Sequence, residues 1–139
     1  MSIIKNKSGL LAYRQQADAC MQRLCAGDYE DPDALHRDLY GFIKAKYLLP
    51  EDLDGIYDLT ELAQMSVART IQMTKVDAFK ADSAHSCEGT TSAMNKKVLL
   101  LMALQKGMQI CFLPERTAEL TDTKLLADEV YRLVHTRKE

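Results

Sequence analysis

The chain has 139 residues, of which 47% are hydrophobic and 27% charged. That length supports one domain with one real core, and that composition excludes an intrinsically disordered chain. The balance of 18 Lys and Arg against 20 Asp and Glu gives a net charge of −2, which argues against a strongly basic nucleic-acid module.

The first residues, Met1-Ser2-Ile3-Ile4-Lys5-Asn6-Lys7, are polar and lack the apolar core of a signal peptide. The longest apolar run, Val98 to Leu104, has seven residues, against about 20 for a membrane-spanning helix. The expectation is a soluble cytoplasmic protein that engages neither membrane nor nucleic acid. The cysteines are Cys20, Cys25, Cys87 and Cys111. They read as reduced thiols, because a chain of this size does not depend on disulfide staples. Cys20 and Cys25 fall about 140° apart around a helix, which suits neither a bridge nor a shared metal. No close Cys/His pairing of a zinc site occurs, so no metal is expected.

Strict apolar–polar alternation is nowhere sustained, whereas helical periodicity is common. The first helix is predicted from Ser8 to Cys25, with Leu10, Tyr13, Ala17, Cys20, Met21 and Leu24 as its apolar stripe. Gly27 is expected to end it through a left-handed C-terminal residue. The second starts at Asp31-Pro32, an N-cap followed by a proline that loses no donor there. It continues through Leu35, Leu39, Phe42, Ile43 and Tyr47 until Pro50 stops it. The third is predicted from Asp58 to about Thr74, where Asp58-Leu59-Thr60-Glu61 has the spacing of a capping box. Residues 75–91 read as a long, weakly apolar loop.

The fourth helix starts at Ser92, and its apolar run from Val98 to Leu104 predicts a helix central to the core. Gly107 is expected to weaken its end. The apolar connector Ile110-Cys111-Phe112-Leu113-Pro114 follows. The last helix starts near Thr121 or Asp122 and buries Leu125, Leu126, Val130, Leu133 and Val134. Arg132, His135, Arg137 and Lys138 suit the negative end of its dipole.

Several residues carry candidate chemistry. Cys87 lies two residues after His85 and near a helix N-terminus, and both features favour the nucleophilic thiolate. They make a thiol-dependent enzyme or redox protein the alternative reading, although no third group or pocket can be read with them. Lys96 and Lys97, extended by Lys44 and Lys46, form a candidate docking surface or simply a solvated face. Met94 and Met108 would line a partner or acyl-chain groove if exposed, and would otherwise be core. Asp28, Glu30, Asp31 and Asp33 lack the glycine and terminal glutamate of a calcium loop, and read as helix-start acids.

The segment Val98-Leu99-Leu100-Leu101-Met102-Ala103-Leu104 leads through Ile110 to Leu113-Pro114. It continues to Ala118-Glu119-Leu120-Thr121-Asp122-Thr123 and Leu126-Ala127-Asp128-Glu129-Val130. This order resembles the second half of an acyl carrier protein: an apolar second helix, a short proline-ended connector, a small third helix and a last helix opened by a hydroxyl or acidic residue. The likeness covers about 45 of the 139 residues. It implies that 31–139 is a carrier-like bundle with an inserted helix at about 58–74, and that 1–30 is an N-terminal extension helix.

The family carries 4'-phosphopantetheine on the serine of Asp-Ser-Leu at the start of its second helix. Here the ungapped position is Met94, and the nearest hydroxyl is Ser92 in Gly89-Thr90-Thr91-Ser92-Ala93-Met94, with Thr91 where the family has Asp. By resemblance Ser92 is the attachment point if the protein is loaded; a serine there also caps the helix. Lys96 and Lys97 replace the family's acidic second-helix surface.

The sequence thus predicts an all-α, single-domain helical bundle of about five helices. The resemblance implies a non-enzymatic acyl or peptidyl carrier-like protein, with or without its prosthetic group. It would dock enzymes of a biosynthetic or peptide-maturation pathway through Met94, Lys96 and Lys97. A structural adaptor with no covalent chemistry is the third reading.

Overall fold

The computed structural model describes residues 2–69 and 92–138, with side chains over 11–69 and 93–136. The helices are α1 (Ser2–Ala26), α2 (Pro32–Lys46), α3 (59–69), α4 (Ser92–Met108), α5 (Pro114–Thr117) and α6 (Thr123–Lys138). The all-α bundle expected from the periodicity is observed, with α5 as an added single turn in the connector. The predicted third helix beyond residue 69 and the loop at 75–91 lie outside the described residues.

One hydrophobic core joins these helices. Ala17, Cys20 and Leu24 of α1 meet Leu35, Leu39, Phe42 and Ile43 of α2, which in turn meet Leu126, Ala127 and Val130 of α6. Leu59 and Leu62 of α3 and Leu100, Leu104 and Met108 of α4 complete it. Each fully buried leucine contributes roughly 2 kcal/mol of transfer free energy. The α1–α2 pair is also held by polar contacts at its rim. Arg23 Nε donates to Asp38 Oδ1 at 3.2 Å, and the Tyr29 hydroxyl donates to Asp38 Oδ2 at 2.6 Å.

α1 begins six residues before the predicted start. The polar turn at 2–7 offers no stripe to read, yet extending an existing helix costs little once it is nucleated. α1 ends at Ala26 as expected, but the expected reason fails. Gly27 does not adopt a positive φ. A Cβ there would instead lie 2.7 Å from the Arg23 carbonyl oxygen and from the Tyr29 ring.

α2 is capped as predicted: Asp31 Oδ1 accepts from the Ala34 amide at 2.8 Å, and Pro32 is the first helical residue. Its end was misplaced, because Pro50 does not stop it. Leu48 takes φ 59°, while the Leu49 amide donates to Lys44 O and the Leu48 amide to Ala45 O. These are the two bonds of a Schellman closure, built on leucine rather than glycine. Burial of Leu49 in the core offsets the cost of roughly 1 kcal/mol for the left-handed leucine.

α4 ends in a related way: Gln109 takes φ 57° and the Ile110 amide donates to Gln105 O. Gly107 is therefore the penultimate helical residue, and the left-handed closure falls on Gln109 rather than on the glycine. A Cβ on it would lie 2.6 Å from Met21 Sδ, so the glycine allows α1 to approach α4. The Cys25 thiol, which donates to Gly107 O at 3.1 Å, marks the same crossing.

α3 and α6 start side by side. Asp58 Oδ1 accepts from the Glu61 amide at 2.9 Å, and Asp122 Oδ1 accepts from the Leu125 amide at 2.7 Å. Between these caps the Leu59 amide donates to Thr121 O and the Thr123 amide to Tyr57 O. The resulting antiparallel Asp58–Asp122 bridge is the sheet-like pairing among the described residues. Within α6, Leu126, Val130 and Val134 are buried as predicted, whereas Leu125 faces outward. Glu129 is buried and accepts from Arg132 at 2.7 Å. Arg116 of α5 lies 3.9 Å from the same carboxylate, which ties the short helix to α6. No helix among the described residues is long and apolar enough to cross a membrane.

Candidate functional site

α4 departs most from its predicted role. Its run of apolar residues implies burial on all sides, but only Leu100, Leu101, Leu104 and Met108 are buried. Met94, Val98 and Met102 are 75%, 49% and 55% exposed, and Leu99 is 62% exposed. Positions 94, 98 and 102 recur every four residues and so form one stripe along the helix, with Leu99 beside it. Contiguous exposed apolar surface of this kind is characteristic of interaction sites.

The cations on the same turns of α4 are held in defined places. Lys96 is half-buried, with Nζ 5.9 Å from the centroid of the Tyr47 ring. Burial lowers its pKa from the ordinary lysine value. Lys97 Nζ donates to Thr117 O at 3.1 Å, tying α4 to the end of α5. Lys46, Tyr47, Lys96, Leu99 and Leu100 line a hollow of about 220 Å³ between the end of α2 and the first turns of α4. Tyr47 is buried, and its hydroxyl has no hydrogen-bond partner among the described residues. Burial accordingly pushes its pKa well up. Its backbone oxygen is occupied by the buried Ser66 hydroxyl, which donates to it at 2.8 Å.

Of the residues singled out in the sequence, Met94, Lys96 and Lys97 share the first turns of α4. Met108 does not join them, because it is buried at the other end of the helix. Lys44 is also separate. Its Nζ donates to the carbonyls of Glu51 and Leu53 and lies 4.9 Å from the Tyr40 ring centroid, so it holds the 50–54 loop. Ser92 is the first residue of α4, and its side chain lies outside those described. His85 and Cys87 also lie outside the described residues. Cys20 is buried beside Arg23, while Cys25 and Cys111 are exposed. Among the described residues no three His, Cys, Asp or Glu side chains come together as metal ligands.

Sequence reasoning missed a second polar cluster on the outer face of α2. His36 stacks on Tyr40 at 5.6 Å and meets Tyr57 edge-on at 5.1 Å. Its Nε2 lies 2.8 Å from the buried Thr123 hydroxyl, at the first residue of α6. The Tyr40 hydroxyl donates to Ile56 O and the Tyr57 hydroxyl to Asp54 Oδ1. A hollow of about 350 Å³ adjoins this cluster, with Asp33, Arg37 and Lys44 on its walls. Burial lowers the His36 pKa, reinforced by the Lys124 charge. Every hydroxyl in the cluster has a protein partner, and the cluster clasps the 54–58 loop and the start of α6 onto α2. The spacing of His36 and Tyr40 on one helix face was a legible signal; the arrival of Tyr57 and Thr123 was not. Compared with known proteins, the chain matches no family model, no curated protein and no solved structure.

Proposed function

We propose that this chain is a non-enzymatic, carrier-like protein that docks enzymes of a biosynthetic or peptide-maturation pathway through α4. The observation that carries the docking reading is the exposed stripe Met94, Val98, Leu99 and Met102 on the helix that begins at Ser92. A helix that serves only the core turns such residues inward. The covalent half of the reading rests on the resemblance of the 98–130 segment to acyl carrier proteins. It names Ser92 as the point that would take 4'-phosphopantetheine.

The residues near Ser92 fit this role in part. Ser92 is the first residue of a helix, whose dipole favours a phosphodiester at that end. Met94 occupies the family's serine position, and Lys96 and Lys97 reverse the charge that the family shows its partners.

Intact mass after co-expression with a broad-specificity phosphopantetheinyl transferase tests the covalent half. A phosphopantetheine adduct that is lost in Ser92→Ala is the expected result. An unmodified mass removes the prosthetic group from the reading and leaves an adaptor that works by docking alone.

A further inference from the structure

α1, α2 and α3 each bring a cation to one hollow on the far side of Lys46. Tyr13, Arg14 and Asp18 of α1 line it with Lys46 and Leu48 at the end of α2, around a volume of about 200 Å³. The Tyr13 hydroxyl accepts from Arg69 Nη2 of α3 at 3.3 Å. Arg14 and Lys46 are exposed and make no hydrogen bond or ion pair among the described residues. Arg69 is half-buried, its Nε is buried with no hydrogen-bond partner, and no carboxylate pairs with it among the described residues. A guanidinium drawn out of water without an acceptor or a counter-charge is costly. The Tyr13 hydroxyl has a proton that likewise meets no acceptor among the described residues. Asp18 is the carboxylate on these walls, and it pairs with none of the three cations. The nearby carbonyls of Ile43, Lys44 and Ala45 already accept from the Tyr47, Leu49 and Leu48 amides.

We infer that this hollow binds a phosphate monoester, gripped by Arg14 and Lys46, with Arg69 acting through its charge and through the Tyr13 hydroxyl. Three features point to that ligand. Donors outnumber acceptors on the walls, so the missing partner is an acceptor. Three cations against one carboxylate leave a surplus of two positive charges, which matches a phosphate monoester of about −1.5 to −2; a carboxylate would supply half of that. The planar fork of Arg14 suits two oxygens of one phosphate, and Lys46 adds a point charge for a third. The volume also leaves room for the first atoms of whatever carries the phosphate. No residue of α4 lines this hollow, so the site stands apart from the exposed stripe and from the docking reading.

The test titrates the full chain with inorganic phosphate in a calorimeter, at slightly alkaline pH and constant ionic strength, with acetate as the control anion. Phosphate should bind saturably and acetate should not. Arg14→Gln and Lys46→Gln should each weaken phosphate binding by about tenfold. Both residues are exposed, and circular dichroism checks that the variants remain folded. Lys106→Gln, on an exposed lysine of α4, should leave the affinity unchanged. Bound phosphate should also raise the melting temperature of the native chain and not that of Arg14→Gln. No saturable phosphate binding, equal binding of acetate, or full affinity in both Arg14→Gln and Lys46→Gln would overturn the inference. Cosedimentation with phosphatidylcholine vesicles containing phosphatidic acid or phosphatidylglycerol identifies the source of the phosphate. Capture by phosphatidic acid alone, lost in Arg14→Gln, supports the site and makes its ligand a lipid headgroup. Capture by neither, with phosphate binding intact, supports it with a soluble phosphate monoester as the ligand. Equal capture by both lipids, unaffected by Arg14→Gln, would overturn it in favour of a general attraction to anionic surfaces.

Discussion

Asp58 and Asp122 lie opposite each other in an antiparallel bridge, and each carboxylate caps the helix that starts just after it. The two helix starts are therefore one unit. The Leu59 and Thr123 amides, which a helix N-terminus would leave unpaired, bond across the bridge to Thr121 O and Tyr57 O. Replacing either aspartate by alanine is expected to cost about 1 kcal/mol. Because the caps share a bridge, the double variant should depart from additivity. Urea denaturation of the two single variants and the double variant measures this. Strict additivity would mean that the bridge transmits nothing between the helices.

His36 makes stability depend on pH. Its pKa in the folded protein lies below the ordinary histidine value, chiefly because it is half-buried and secondarily because of Lys124. Between that lowered value and the unfolded one, the unfolded chain binds more protons, so stability rises with pH. It should be highest above the usual histidine pKa and fall as pH drops through the folded one. Melting temperatures across that window should decline for the native chain, and the decline should flatten in His36→Gln. An unchanged slope in the variant would exclude His36 as its source.

Glu129 acts in a lower window. Hydrogen bonding to Arg132 holds its pKa below the usual carboxylate range. Its contribution is present above the unfolded pKa and is lost as pH falls through the folded one. Glu129→Gln should cost about 1 kcal/mol at neutral pH, since Arg116 and Arg132 remain partly solvated and need no other partner. The variant should match the native chain in acid. Thermal melts at neutral and acidic pH compare the two.

Tyr47→Phe is expected to leave stability unchanged or raise it by about 1 kcal/mol, because it removes a buried hydroxyl with no partner among the described residues. Ser66→Ala should act in the opposite direction, since it leaves Tyr47 O without the Ser66 hydroxyl. Chemical denaturation of both variants gives the two signs. A clear loss of stability in Tyr47→Phe would show that the phenol is bonded.

Gly27, just past the end of α1, and Gly107 of α4 should respond differently to alanine. Gly27→Ala sets its Cβ 2.7 Å from a backbone oxygen, which cannot move aside, and should cost about 1–3 kcal/mol. Gly107→Ala meets only the Met21 side chain, which can turn away. The gain in helix propensity, up to about 1 kcal/mol, should bring its effect close to zero. Equal losses for both would mean that Met21 is as fixed as the backbone.

The sequence by itself determined what short-range chemistry decides. The all-α class follows from apolar spacing within single helices. The starts at Asp31-Pro32, Asp58 and Asp122 follow from a carboxylate reaching an amide three residues on. Candidate site residues were legible only as positions on a helix: Met94, Lys96 and Lys97 share the first turns of α4, whereas Met108 is buried at its other end. Tertiary structure decided the ends of α2 and α4, where buried Leu49 and the left-handed Leu48 and Gln109 replace the expected Pro50 and Gly107. It decided that Tyr57 and Thr123 join His36 and Tyr40, across stretches of chain that no periodicity spans. It also decided that the most apolar helix shows a face to solvent. Capping and periodicity act over three or four residues, so a sequence displays them directly. Burial depends on which helices arrive on each side, and α4 has neighbours for Leu100 and Leu104 but leaves Leu99 and Met102 open.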